Sequence, residues 1–471
     1  LELNCKGGDN LTLYVDNQKI PQGNFSFLVD AVGNEELFKK FYDAEKNLKI
    51  DYIDFAHKIR KAYEAFALEE EAKRRSNLSQ FTNMELDEIK EIIVNEIKEP
   101  SSIINYKNII IDLCDGKEQN FADMLEKYSF VRHRDNENEV RMRLKKYIRF
   151  VYSFGSESSH ENVAISEECS PNKENCLKVA GSFHDFLCVY YEINEKFDSA
   201  LIPVMDYIPV PKKVVESMGL VFETGKSLYI KQRNEKVGYY IFSSDIESIS
   251  IGQRRDIDTI NKLWEDNFVD PSNIIRQTEN ITSTNGDYRF QVYALPNRPY
   301  KLSNTLLSGL SMANKLDIIV GICKGIESIH DYEIPMYHRN ICPDSFYIFE
   351  IRNKYKPLLA KFDCTKDTAE NMFTVFNNVE KRVKNKNTNQ FFAPEVLSAN
   401  LGEEINWRKA DVFSLAKTIL FILFDGIIED EEIENRLEEC EISDELKILL
   451  TEMLSPHPDE RPEVKEILEI L

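Results

Sequence analysis

No apolar run in this chain reaches the roughly 18 residues that a membrane-spanning helix needs. The longest candidate, Leu415–Phe424, is broken by Lys417 and stopped by Asp425, so no membrane span is expected. Basic charge is also short: 59 Lys and Arg stand against 81 Asp and Glu, a formal charge of −22. That excess repels nucleic acid and anionic membrane at long range, while leaving a local basic face open. Paired cysteine spacings are missing as well. The nine cysteines are odd in number and scattered, which suits a reducing, cytoplasmic compartment better than a disulfide scaffold. Nor is there a P-loop. Gly225-Lys226-Ser227 imitates its end, but Gly219 lies one residue too far upstream and the flanks read as strand–turn–strand. The chain opens on Leu rather than Met, so a preceding segment is left open.

What is present fills two or three domains at 471 residues. Residues 1–33 form a lead-in in which the alternation Leu11-Thr-Leu-Tyr-Val suggests a β-hairpin. From Asn34 to Phe197 the pattern is helical. Tyr52, Phe55, Ile59, Tyr63 and Phe66 recur at three- and four-residue spacing and share one face. Leu86, Ile89, Ile93 and Ile97 mark a second amphipathic helix, ended by Pro100, and Val140, Leu144, Tyr147 and Val151 mark another. A polar loop, Ser153–Asn175, precedes a helix from Cys176 to about Asn194. Arg132, Arg134, Arg141, Arg143, Lys145, Lys146 and Arg149 cluster as a basic stretch, read as a solvated helix face in preference to a phosphate contact. His160, Cys169, Cys176 and His184 offer four zinc-type ligands, but not at zinc-finger spacing.

Lys58-Ile-Arg-Lys-Ala-Tyr-Glu and the later Tyr152-Ser-Phe-Gly-Ser-Glu-Ser-Ser-His give this region a resemblance to the HEPN-type helical domains of prokaryotic defence proteins. HEPN ribonucleases need an Arg four to six residues before a His; the nearest Arg upstream of His160 is Arg149. The resemblance therefore implies a non-catalytic bundle for dimerisation or partner binding. RNA cleavage at His160, helped by Arg149 or Arg143, is the alternative.

The remainder follows another order. Leu220–Phe222, Leu228–Lys231 and Val237–Phe242 read as three strands, Arg254–Trp264 as a helix, and Asn273–Arg276 and Tyr288–Tyr293 as two strands around Asn285-Gly286. Ser311–Tyr332 is a long helix with Leu316, Ile319, Cys323, Ile326 and Ile329 on one face. Then come Tyr337-His-Arg-Asn-Ile-Cys-Pro-Asp-Ser, Lys361-Phe-Asp-Cys-Thr, Ala393-Pro394-Glu395, Lys409-Ala-Asp-Val-Phe-Ser-Leu and Arg461-Pro462. In this order the pieces resemble the eukaryotic-type protein kinases. The resemblance implies a two-lobed α+β fold, small lobe 203–300 and large lobe 301–471, behind the all-α module at 34–197.

Its motifs separate into two classes. Glu395 is expected to pair with Arg461, Asp411 to hold the backbone of the His338-Arg339 loop, and His338 to pack beside the residue after Asp363. All of these are structural anchors. The chemical positions are depleted. The catalytic base is replaced by Asn340, which cannot take a proton. Cys342 stands for the loop lysine and Ser345 for the second metal ligand. The third strand, with Tyr239, Tyr240 and Phe242, has no lysine. Asp256 is the expected remnant of the helix carboxylate and Asp363 the one remaining magnesium ligand. Together these losses imply a pseudokinase, a regulatory protein in defence or stress signalling that needs no cofactor. Weak binding of ATP with magnesium is left open, and an atypical active kinase is the third reading. Protein partners and a homodimer through the helical module are expected, with Glu429–Glu445 an acidic candidate surface that reads first as a solvated rim.

Overall fold

A computed structural model describes residues 13–79, 171–191, 193–222, 225–233, 236–245, 251–265, 270–367, 383–384, 388–399 and 404–471. The segments expected as helices around Leu86 and Val140, the basic stretch, Cys169 and His160 lie outside these residues. The chain divides into two compact units. One is Leu1–Pro211 together with Thr282–Tyr288; the other is Lys212–Ile281 together with Arg289–Leu471. The first unit thus runs past the boundary expected at residue 197 and takes in a short piece from much later in the sequence.

In the first unit the expected lead-in hairpin pairs Leu13–Val15 with Gln18–Ile20 in antiparallel register. Its tight turn places Asp16 and Asn17 at positive φ, the conformation that short polar side chains tolerate best. Helix Glu35–Glu45 starts at Asn34, whose side chain accepts a hydrogen bond from the Leu37 amide. Helix Tyr52–Ser79 starts at Asp51, which accepts from the Ile53 and Asp54 amides. Tyr52, Phe55, Ile59, Tyr63 and Phe66 are all buried, as their spacing requires. They meet Phe38 and Phe41 from the preceding helix and Val179, Phe183 and Phe186 from helix Lys173–Tyr190. The late segment Thr282–Tyr288 closes this unit: the Thr284 amide donates to the Ile50 carbonyl and Tyr52 Oη donates to Asp287 at 2.9 Å.

The second unit is α+β. Its antiparallel sheet contains Lys226–Arg233, Lys236–Asp245, Arg289–Leu295 and Arg276–Thr282, in that spatial order. Leu220–Phe222, expected as a strand, is irregular, and the stretch at Asn273 is a single 3₁₀ turn, Pro271–Asn273, before the strand begins. Helix Ile251–Glu265 follows the second strand of the sheet. Helix Met312–His330 buries Ile319, Cys323, Ile326 and Ile329. Gly321 lets it approach Pro357 so closely that a Cβ there would sit 2.6 Å from the proline ring. Helix Trp407–Leu423 is apolar nearly all round and correspondingly buried. No helix among the described residues is long and apolar enough to cross a membrane.

Candidate functional site

The His338–Ser345 loop is built on buried backbone anchors. Asp411, 1% exposed, accepts from the His338 amide at 2.7 Å and the Arg339 amide at 2.8 Å. This grip offsets the left-handed backbone of Arg339, at φ +63°. The Arg339 guanidinium lies 4.0 Å from the centre of the Trp407 ring, a cation–π contact inside the fold. His330 Nε2 is 3.2 Å from the same Asp411 carboxylate. The His338 imidazole packs on Phe362, ring centres 5.3 Å apart, with Nε2 3.0 Å from the Ala360 carbonyl. The two rings meet edge-on, and Phe362 is the residue before Asp363. Burial holds the His338 imidazole below its ordinary pKa against the pull of Asp411.

Glu395 and Arg461 meet as expected. Arg461 Nη1 and Nη2 donate to Glu395 Oε1 and Oε2 at 2.6 and 2.9 Å, a bidentate pair around a guanidinium with no solvent exposure. Arg461 also donates to the Ser455 and Lys409 carbonyls, from Nε and Nη1.

Among the chemical positions, Ser345 bonds inward. Asn340 is 4% exposed and Ser345 fully buried. Ser345 Oγ donates to the Asn340 carbonyl at 2.5 Å and lies 3.5 Å from Cys342 Sγ. A hydroxyl committed to a backbone carbonyl in the core is a poor magnesium ligand. Burial raises the Cys342 thiol above its ordinary pKa, which leaves it protonated and inert. Asp363 is half-buried, with Cys364 Sγ 3.8 Å from its Oδ2.

Sequence reasoning missed the partner of Asp256. In strand Lys236–Asp245, Tyr239, Tyr240 and Phe242 are buried, with Phe242 stacked 4.1 Å from Tyr229. The ammonium comes instead from the neighbouring strand. Lys226 Nζ reaches Asp256 Oδ2 at 2.8 Å, with the two side chains 12% and 5% exposed. The other Asp256 oxygen accepts from the Phe362 amide at 2.7 Å. One carboxylate thus ties a strand, helix Ile251–Glu265 and the Asp363 segment together. Tyr293 adjoins this pair: its buried phenol is held above its ordinary range by burial first and the Asp256 carboxylate second. The clue in the sequence was Lys226 itself, which the false P-loop had drawn into another comparison.

Across from the loop, the Phe222 ring lies against Tyr347, centroids 6.2 Å apart. Phe222 lies four residues before Lys226, and Tyr347 follows Ser345 by two residues. A separate cavity of about 290 Å³, lined by Arg255, Asp258, Thr259, Lys262, Met336 and Thr365 among others, contains none of the residues expected to handle nucleotide. Among the described residues no three His, Cys, Asp or Glu side chains gather as a metal site. Of the four zinc-type candidates, Cys176 Sγ turns to the Tyr52 carbonyl. His184, by contrast, is enclosed by Phe25, Phe27 and Phe197 and faces Cys188. A search against protein-family models returns no match for this chain.

Proposed function

We propose that the second unit is a pseudokinase, a kinase-like regulatory or recognition unit without phosphotransfer, joined to a HEPN-like helical unit that binds a partner or a second copy. One observation carries the reading: Ser345, Cys342 and Asp256 are spent on the fold, while the structural anchors are intact. Ser345 bonds to Asn340, Cys342 is buried and Asp256 is consumed by Lys226 and Phe362. The Asp411 grip and the Arg461–Glu395 pair keep the loop in shape. Phosphoryl transfer depends on a positioned base and clustered positive charge, and neither a carboxylate base nor a loop lysine stands here. A role in prokaryotic defence or stress signalling rests on the HEPN resemblance. The test is autophosphorylation and peptide phosphorylation by the full chain with ATP and magnesium. The reading expects incorporation no higher than for Asp363→Ala; transfer that Asp363→Ala abolishes would overturn it.

A further inference from the structure

We infer that the cavity of about 290 Å³ beside helix Ile251–Glu265 is a binding site for a free amino acid, taken up as its zwitterion with the carboxylate inward. The cavity lies between that helix on one side and Met336 and Thr365 on the other. Its volume falls at the small end of the ~300–1,000 Å³ range of ligand pockets, which suits a small metabolite. Thr365 is 1% exposed, and its Oγ1 is buried with no hydrogen-bond partner among the described residues. Buried hydroxyls are ordinarily paired, so an unpaired one on a cavity wall points to a polar group that the cavity receives.

The lining divides by depth. Thr259, Thr365 and Met336 are buried and Arg255 is half-buried, whereas Asp258, Lys262 and Glu265 are exposed. The inner end therefore offers two hydroxyls and a guanidinium, a donor set that suits a carboxylate. The rim carries two carboxylates against one ammonium, a net negative mouth that suits a ligand ammonium. A simple anion gains at the inner end and is opposed at the rim; a simple cation meets the reverse. A molecule with both charges a short distance apart gains at both ends. Met336 adds an apolar wall for a small side chain. The site uses none of the positions on which the pseudokinase reading rests, so the two stand or fall separately.

The experiment is isothermal titration of the full chain with each of the twenty standard amino acids, singly and into the millimolar range. At least one is expected to bind saturably. For the tightest of them, the analogue without the amino group and the analogue with the carboxylate esterified are titrated next, and each is expected to bind about tenfold or more weakly. Thr365→Val keeps the shape and removes the unpaired hydroxyl; it is expected to weaken the amino acid about tenfold. The exposed pair Asp258→Asn with Glu265→Gln is expected to weaken it about fivefold and to leave the analogue without the amino group unweakened. Melting curves establish that both variants fold, and the rim variant replaces only exposed side chains. Saturable binding by none of the twenty overturns the site. Equal binding of the analogue without the amino group overturns the zwitterion, and affinity unchanged in both variants overturns the placement in this cavity.

Discussion

At the scale of single residues, the fold is held by charges that have no freedom to do chemistry. Arg461 is among the largest fully buried side chains of the described residues, and its guanidinium is neutralised by one carboxylate. Removing that carboxylate strands a buried charge. Glu395→Ala is expected to destabilise the second unit by about 3 kcal/mol, read from chemical denaturation. Glu45 in the first unit is a different case. It is wholly buried and accepts from the Asn24 amide and side chain, yet burial outweighs those donors and pushes its carboxyl up to about 7. Because the folded pKa lies above the ordinary 4.5, the folded state holds this proton more tightly than the unfolded state does. The resulting stability is complete at low pH and is lost as pH rises from about 4.5 to about 7. Nearby Lys49, lowered by burial to about 8, adds the opposite slope above that value. Melting temperature across pH 5–7 should fall for wild type, and Glu45→Gln should flatten that slope; an unchanged slope would show that Glu45 is not its source.

At the scale of elements, close approach and turn docking are the sensitive features. Gly321 sits where helix Met312–His330 meets Pro357, with no room for a methyl group. Gly321→Ala is expected to cost about 2 kcal/mol through overpacking, well beyond the helix-propensity gain, and denaturant midpoints will show it. In the first unit the turn Thr282–Tyr288 is held by the Tyr52 hydroxyl on Asp287 and by Lys173 over the Tyr288 ring at 4.6 Å. Tyr52→Phe should lose about 1 kcal/mol, the net worth of one hydrogen bond, while keeping the ring in the core. The helices were legible because their apolar positions repeat with the right period: Tyr52 through Phe66 and Ile319 through Ile329 were recognisable from spacing. The turn was not. Nothing local in Thr282–Tyr288 shows that it belongs with a segment more than two hundred residues earlier; long-range docking leaves no periodic trace. Leu220–Phe222 misled for a related reason. A short apolar run fits a strand, and here one of its rings packs on Tyr347 instead.

At the scale of the whole molecule, two units are built from one chain, and the second carries the functional reading. Its structural anchors were legible as motifs, since Glu395, Asp411 and Arg461 each have a fixed partner in the resemblance. The Lys226–Asp256 pair was not legible, because a lysine was sought on the strand that carries Tyr239 and Tyr240, and the partner of Asp256 lies on the strand before it. Relocating an ammonium keeps a charge pair while the base position remains Asn340. The proposed function for this unit is a kinase-like frame without the reaction. The most direct measurement is the initial rate of magnesium-dependent phosphate transfer from ATP by the purified full chain, beside Asp363→Ala prepared identically. The account predicts equal rates for the two proteins, far below the roughly 1–100 per second of working kinases. A rate in that range for the wild type, abolished in Asp363→Ala, would contradict it.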